Sequence, residues 1–183
     1  MDKKIGIIKG SLRRNSFSQS IADYVIENAP EGYVFKVIDI SKLPLYNQDF
    51  DEANPDEYTA FRSEIKPLDG LLFITPEYNR SIPAVLKNAL DVGSRPYGEN
   101  VWNGKPGAII SQSPGSIGGF GATHHLRQIL AFLNVLTMNQ PEAYIGAYHT
   151  LIDEKGALNN AGTKEFINSF LTAFKDWVET NRS

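Results

Sequence analysis

The order of apolar runs and helical repeats predicts a doubly wound α/β fold. Five short runs of apolar and β-branched residues alternate with five segments whose apolar residues recur at helical spacing. This alternation is typical of a five-stranded parallel sheet with helices on both faces, and it predicts the strand order 2-1-3-4-5. In such a sheet, ligands bind at the carboxyl ends of the strands, around the switch point between strands 1 and 3.

The N-terminal half contributes three strands and two helices. The first strand is an apolar run that ends in glycine, the second is rich in aromatic and β-branched residues, and the third has the strongest strand pattern in the chain. The first helix ends before a proline, and the second opens with proline and acidic residues. The predicted strands span residues 5–8, 33–40 and 71–75, and the predicted helices span 16–28 and 54–66.

The C-terminal half repeats the alternation with three helices and two strands. The two longer helices carry apolar residues at helical spacing, and the last strand has the weakest pattern. The predicted helices span 81–93, 122–136 and 163–179, and the predicted strands span 107–110 and 143–145. The last helix is expected to bury its aromatic stripe, which comprises Phe166, Phe170, Phe174 and Trp177.

The composition is that of one globular domain over residues 1–183. Hydrophobic residues make up 42% of the chain, charged residues 21%, and the formal net charge is −3. This balance argues against a whole-surface nucleic-acid footprint. The absence of cysteine excludes disulfides, thiolate metal ligands and cysteine nucleophiles. No stretch approaches the ~20 apolar residues of a membrane span, and the N-terminal apolar run is too short for a secretory signal, so we expect a cytoplasmic protein.

The loop after the first strand, residues 10–18, has the features of a phosphate site. It leads into a helix, whose N-terminus offers free amide donors and partial positive charge. It has neither the lysine of a Walker A loop nor the further glycines of a dinucleotide motif, so one phosphate is favoured over two. The alternative is ordinary helix capping beside two solvated arginines. The candidate cofactor-binding residues are Ser11, Arg13, Ser16, Phe17 and Ser18.

The loop after the third strand, residues 75–83, is bounded by two prolines. Its tyrosine is suited to lie against a planar ligand, and its asparagine can donate to and accept from the edge of a heterocycle. The alternative is a turn whose tyrosine covers the domain edge. The candidate residues are Pro76, Glu77, Tyr78 and Asn79.

The loop after the fourth strand, residues 111–121, has four glycines in its last seven residues. Glycine permits unusual backbone angles and close approach to a flat ligand, although a flexible surface loop has the same composition. The candidate residues are Ser113, Gly115, Ser116, Gly118 and Gly119. Together the three loops describe a site for one phosphate and one planar, hydrogen-bonding ring, which fits flavin mononucleotide (FMN).

These motifs resemble the NAD(P)H-dependent FMN reductases of flavodoxin-like fold, a family that includes quinone, chromate and azo-dye reductases. The resemblance covers nearly the whole chain and is most specific in PEYNRSIP (76–83), which runs into LKNALD (86–91). It implies that the serines and Arg13 of the first loop bind the FMN phosphate, that residues 76–79 line the ribityl chain and isoalloxazine, and that the third loop closes over the ring.

The resemblance also implies an oxidoreductase with NADPH or NADH as co-substrate. Hydride would pass from the nicotinamide to flavin N5 and on to quinones, azo compounds, metal oxyanions or free flavin in a ping-pong cycle. Because the flavin carries this chemistry, no side chain is assigned a catalytic role. The family forms homodimers or homotetramers. Two departures are Lys9, where a small residue is common, and Val92 with Gly93, where tryptophan is common; the second is expected to change the dimer-facing pocket wall.

Two other functions remain open from the residues alone. A flavodoxin-type electron carrier without its own turnover would need a strongly charged docking face, which the net charge does not suggest. A phosphate-ester hydrolase on the same sheet would need a nucleophile or a metal cluster at the strand ends. We expect no metal site, since the adjacent His124 and His125 cannot face one site on a helix. Arg95 and Arg127 are expected at a subunit interface, with the phosphates of the cofactor as the alternative. Trp102 either shields the pocket or packs inside.

Overall fold

The computed structural model of the chain describes residues 2–181. Its strands are β1 (Lys3–Lys9), β2 (Tyr33–Ile38), β3 (Gly70–Pro76), β4 (Pro106–Gln112), β5 (Leu136–Thr137) and β6 (Ala143–Ile145). All pairings are parallel, in the order β2-β1-β3-β4-β5, and β6 also pairs with β4. The predicted order 2-1-3-4-5 is confirmed.

Five α-helices pack against this sheet. Their bounds are α1 (Phe17–Glu27), α2 (Asp56–Ile65), α3 (Ala84–Gly93), α4 (Phe120–Phe132) and α5 (Ala161–Asn181), with short 3-10 turns at Gln48–Phe50 and Tyr148–Thr150. None of the helices in the described part of the chain combines the length and the apolar character that a membrane crossing requires.

The sheet separates two hydrophobic cores. Successive strand residues face opposite sides of a sheet, so a strand that is covered on both sides is apolar throughout. In β3, Leu71 and Phe73 join the core beneath α2, α3 and α4, whereas Leu72 and Ile74 join the core beneath α1 and α5. All four side chains are fully buried. The loops at the carboxyl ends of the strands are therefore attached to a rigid, tightly packed sheet.

The fifth position of the sheet differs from the prediction, because two short strands share it. β5 pairs with the start of β4, and β6 pairs with its end. The predicted helix 122–136 ends at Phe132, since Asn134 adopts a left-handed conformation (φ 57°) that terminates the helix. Leu136, which continued the apolar repeat, lies instead in β5. The repeat therefore predicted the secondary structure of Leu136 incorrectly, and the residue is only half-buried.

The burial of the aromatic side chains also differs from the prediction. Phe170 and Phe174 are each 1% exposed, as predicted for the core, but Phe166 is 36% exposed and lies at the edge of a groove beside β6. Trp102 is fully buried, and its Nε1 donates to the backbone oxygen of Leu90 at 2.9 Å. It therefore packs inside the core.

The departure at Val92 and Gly93 is explained by the same tryptophan. A Cβ on Gly93 would lie 2.5 Å from the indole of Trp102, so no larger residue fits there. Val92 is itself buried, at 1% exposure. These two residues thus face the core and not a pocket wall. Lys9, the other departure, donates to Gln19 Oε1 on α1.

Candidate active site

Buried polar side chains concentrate where β1, β3 and β4 end. Six of the ten buried polar or charged side chains in residues 2–181 lie at this edge or in the loop that follows β1. Polar side chains are buried in a hydrophobic interior only where they have hydrogen-bond partners or bind a ligand. They are Ser11, Ser16, Ser18, Thr75, Ser111 and Gln112.

The first loop leaves hydrogen-bond donors free at the start of α1. Ser16 caps the helix, its Oγ accepting from the backbone N–H of Gln19 at 3.1 Å. The N–H groups of Phe17 and Ser18 donate to no group in residues 2–181. The Arg13 guanidinium lies 5.4 Å from the centre of the ring of Phe17, the first residue of α1. Unpaired amides, a helix dipole and a guanidinium together favour an anion.

Ser18 has a different orientation from the other serines of this loop. Its side chain is fully buried, and its Oγ accepts from Gln112 Nε2 at 3.1 Å. The hydroxyl therefore lies beneath the loop. Gln112 is not among the residues predicted from the sequence. A glutamine at the end of a strand resembles any residue at the start of a loop, and its partner lies 94 positions away.

The second loop is a tight hairpin. The backbones of Tyr78 and Ser81 exchange two hydrogen bonds of 2.9 Å, with Asn79 and Arg80 between them. Both central residues have positive φ, 51° and 67°, as a type I′ turn requires. An arginine in this conformation is strained, and such strain is common at functional sites. Tyr78 remains 53% exposed and is held in a fixed position at the strand edge.

Glu77 stabilises this hairpin against α4. Its Oε2 accepts from the backbone N–H of Ala122 at 3.1 Å, and its Oε1 lies 3.4 Å from Arg80 Nη1. A carboxylate at a helix N-terminus pairs with the free amides and the dipole. A Cβ on Gly121 would lie 2.9 Å from the Arg80 oxygen, so glycine permits the contact. The side chain of Glu77 is thus committed to the protein, which leaves its backbone to face a ligand.

The third loop is packed against β6 and the residues after it, so it does not have the structure of a free surface loop. A Cβ on Gly118 would lie 2.5 Å from the Tyr144 carbonyl carbon, and one on Gly119 would lie 2.9 Å from Ser111 Cβ. The N–H of Ala147 donates to the Gly115 oxygen at 3.0 Å. Gly115 is the exception among these glycines, because its Cβ would contact only Ser113 Oγ, at 3.6 Å.

Tyr148 connects the first and third loops. Its N–H donates to the Ser113 oxygen at 3.1 Å, and its ring centre lies 5.1 Å from that of Phe17. Its hydroxyl donates to Ser20 Oγ at 3.1 Å. Burial raises the pKa of Tyr148 to about 12, so this hydroxyl is neutral at physiological pH.

The remaining candidates have partners within the chain. Arg95 Nη2 lies 2.5 Å from Asp51 Oδ2, and Arg127 Nη2 donates to the Met138 oxygen at 3.0 Å. Each arginine thus has a partner within its own chain, and their place at a subunit interface stays a prediction. His125 Nδ1 lies 3.0 Å from Ser81 Oγ. Within residues 2–181, no group of three or more histidine, aspartate or glutamate side chains could hold a metal ion.

The site fits FMN on two observations. The free amides at the start of α1 suit a phosphate, and Tyr78 offers an exposed ring for a planar system. A ligand with a phosphate at one end and a flat ring at the other end would satisfy both features.

Comparisons with known proteins agree with this geometry. Residues 3–150 match the family model described as NADPH-dependent FMN reductase. A quinone reductase of Pseudomonas putida is 48% identical, with 98% of this chain and 96% of that protein covered. A 2-hydroxy-1,4-benzoquinone reductase of a Burkholderia species is 46% identical over the full length of both chains.

A solved structure agrees with these sequence comparisons. The flavoenzyme NAD(P)H:(acceptor) oxidoreductase FerB from Paracoccus denitrificans superimposes with a TM-score of 0.91 at 36% identity, covering 99% of this chain and 100% of that chain. The flavodoxin-like fold is thereby confirmed, as is the expectation of an FMN-dependent enzyme that uses NAD(P)H. With a matching family model, closely related sequences and a site shaped for a flavin, this chain belongs to the NADPH-dependent FMN reductase family.

Proposed function

We propose that this protein is an FMN-dependent NAD(P)H:quinone oxidoreductase. The observation that carries the proposal is the pairing of unpaired helix amides beside Arg13 with the rigid, exposed Tyr78 hairpin at one sheet edge. The two relatives described above, 48% and 46% identical, are named as a quinone reductase and a 2-hydroxy-1,4-benzoquinone reductase, and these names support quinones as the class of acceptor. Azo compounds, metal oxyanions and free flavin are further acceptors to test.

The three loops divide the work of holding the cofactor. The phosphate would be held at the start of α1, and the ring would lie between the hairpin and the third loop. In this proposal the contacts of the second and third loops are made largely by backbone groups, because the side chains of Glu77 and Ser113 already have protein partners. The residues proposed to contact FMN are Ser11, Arg13, Ser16, Phe17, Ser18, Pro76, Glu77, Tyr78, Asn79, Ser113, Gly115, Ser116, Gly118 and Gly119.

Bound FMN supplies the redox chemistry by taking up a hydride from NAD(P)H and passing electrons to the acceptor. The protein contributes position and electrostatics. Glu77, the carboxylate of the hairpin, is engaged in capping α4, so no side chain of the hairpin is assigned as a proton donor. The exposed Tyr78 borders one open face, which would admit one flat molecule at a time. Alternating occupancy of that face predicts ping-pong kinetics, with parallel double-reciprocal plots.

The deciding experiment is a visible spectrum of purified protein that has been incubated with FMN and desalted. We expect flavin bands that bleach with NADPH and return when benzoquinone is added, with many turnovers per protein. Bands that do not bleach would indicate an electron carrier. The absence of bands would contradict the assignment of the three loops.

The oligomeric state of the protein and its cellular compartment are also proposed. Lys87 and Asp91 form an exposed ion pair of 2.7 Å on α3, the helix through which the resemblance implies dimer contacts. We propose a homodimer or homotetramer in the cytoplasm, where NAD(P)H is available. Light scattering during gel filtration measures the mass directly, and a mass of 20.3 kDa would contradict assembly.

A further inference from the structure

The sequence contains one asparagine that is followed by glycine, Asn103, in the turn that precedes β4. This pair of residues favours spontaneous deamidation, because glycine has no side chain to hinder an attack by its own backbone nitrogen. The nitrogen of Gly104 attacks Cγ of Asn103, its proton passes to a base in the solvent, ammonia leaves, and a cyclic imide forms. Water then opens the imide to aspartate or isoaspartate. Asn103 is exposed, so water has access to it.

Asn134 contacts both of the groups that must react. Its backbone oxygen accepts from the N–H of Gly104 at 2.8 Å, and its Nδ2 donates to Asn103 Oδ1 at 2.9 Å. The first bond keeps the proton on the nitrogen that must lose it. The second bond fixes the amide whose carbon is attacked. Because one residue supplies both bonds, we expect Asn103 and Gly104 to react when their turn moves away from Asn134.

The contact between the turn and Asn134 is exposed, whereas the residues on either side of the turn are held firmly. Asn103 and Asn134 are both exposed, and hydrogen bonds in exposed segments open at lower free energy than those of a core. Trp102 is fully buried, and Lys105 Nζ donates to two backbone oxygens beyond the end of α2, at 3.0 and 2.7 Å. The opening that permits the reaction is therefore local to the turn.

We propose that Asn103 deamidates spontaneously in the folded protein and that Asn134 sets the rate. The turn lies at the amino end of β4, while the candidate active site lies at the carboxyl ends of the strands, so this inference is independent of the proposed function. Isoaspartate adds one atom to the backbone between Trp102 and Lys105, which are anchored in different parts of the fold. Deamidation therefore lowers the stability of aged molecules.

The test compares the unmodified protein with Asn134→Gly. Glycine keeps the backbone oxygen and permits the φ of 57°, but it removes the amide that binds Asn103. The full-length protein is incubated at mildly alkaline pH, and mass spectrometry of proteolytic peptides measures aspartate and isoaspartate at position 103. We expect the folded protein to react about tenfold more slowly than the same protein unfolded in urea, and the variant to react about fivefold faster than the unmodified folded protein.

Asn139→Gly is the matched control, because it makes the same change at an exposed asparagine in the loop after β5. It should leave the rate at Asn103 unchanged. Thermal melting provides a second readout. The Tm of aged unmodified protein should fall in proportion to the fraction of molecules modified at position 103.

Hydrogen exchange separates local opening from global unfolding. The amide of Gly104 should exchange about fivefold faster in Asn134→Gly, while the amides of β3 keep their rates. Equal rates of deamidation in folded and unfolded protein, or in Asn134→Gly and the unmodified protein, would overturn the inference. An equal acceleration in Asn139→Gly would do the same. A slower reaction in Asn134→Gly would also overturn it, because the Asn134 amide would then activate the Asn103 carbonyl instead of restraining it.

Discussion

The first and third loops each contain three serines but use their polar groups differently. The first loop leaves the N–H groups of Phe17 and Ser18 without partners in the part of the chain that the structure describes. In the third loop, Ser111 Oγ donates to the Gly118 oxygen at 2.7 Å, and Ser113 Oγ donates to the Gly115 oxygen at 2.9 Å. One loop keeps donors for a ligand, while the other uses them to hold its own backbone.

This difference separates two ways of building a cofactor site. An anion needs free donors and positive charge, which the start of a helix provides without further support. A flat ring needs a surface of fixed shape, and a glycine-rich segment has such a shape only when other parts of the chain hold it. Glycine is therefore needed in the third loop for packing, which the first pair of variants below tests.

The largest effect is expected from Gly118→Ala. The new Cβ would lie 2.5 Å from the Tyr144 backbone, and the residue would keep a φ of +65°. A backbone clash with a left-handed conformation should lower the free energy of unfolding by about 3 kcal/mol or more. Urea denaturation measures this change. Gly115→Ala is the matched control, since its Cβ has room; an equal loss in both variants would show that the packing of Gly118 is not the cause.

The next effect is expected from Arg13→Ala. Loss of a charge-assisted hydrogen bond to phosphate should weaken FMN binding by about 1.5–3 kcal/mol, roughly ten- to a hundredfold, while riboflavin binding stays constant. Flavin fluorescence titration measures both affinities. The effect should diminish at high salt, because screening weakens the ion pair. A protein that retains FMN as tightly as before would show that the first loop is not the phosphate site.

Glu77→Ala tests the connection between the hairpin and α4. Removal of a helix-capping carboxylate should lower the free energy of unfolding by about 1–2 kcal/mol. The hairpin would also lose its contact with Ala122, so KM for the acceptor should rise more than FMN affinity falls. Steady-state kinetics with benzoquinone, beside thermal melting, checks both. Arg80→Ala is the control, because it removes only the exposed ion pair and should cost much less.

The smallest effect is expected from Tyr148→Phe, which removes the hydroxyl contact between the 3-10 turn and α1. At neutral pH the loss of one neutral hydrogen bond should cost about 1 kcal/mol. The folded pKa of about 12 exceeds the ordinary 10.0, so the unfolded chain releases this proton first and stability falls as pH rises through that interval. The variant should therefore show a shallower alkaline decline in Tm. If the alkaline decline in Tm is the same in the variant, the decline arises from other tyrosines.

The sheet order, the five helices and the edge of the site follow from sequence periodicity, because alternation and apolar runs are local signals. The end of α4 does not, since Leu133 and Leu136 continue the repeat while Asn134 turns the backbone. The exposure of Phe166 also escapes a local pattern. The burial of Phe166 depends on which residues of β6 lie opposite it, and the spacing of apolar residues within α5 does not predict them.

Local sequence patterns are limited in the same way for the candidate site. Three loops could be located because each follows a strand, and their polar composition indicates a phosphate and a ring. The inward orientation of Ser18, the capping role of Glu77 and the presence of Gln112 depend on contacts across 94, 45 and 94 positions. Such contacts come from tertiary packing. The sequence therefore predicts which segments form the site more reliably than which atoms remain available to a ligand.

The packing of the third loop against residues after β6 has a consequence for synthesis. Gly118 and Gly119 precede Tyr144 to Tyr148 in the chain, so a growing polypeptide contains the loop before it contains the surface that shapes it. Chains emerge N-terminus first. The phosphate end of the site can thus exist on the ribosome well before the ring end does. Firm capture of the cofactor therefore requires synthesis to have passed β6 and the turn after it, and a truncation before residue 143 should leave a nascent chain that cannot retain it.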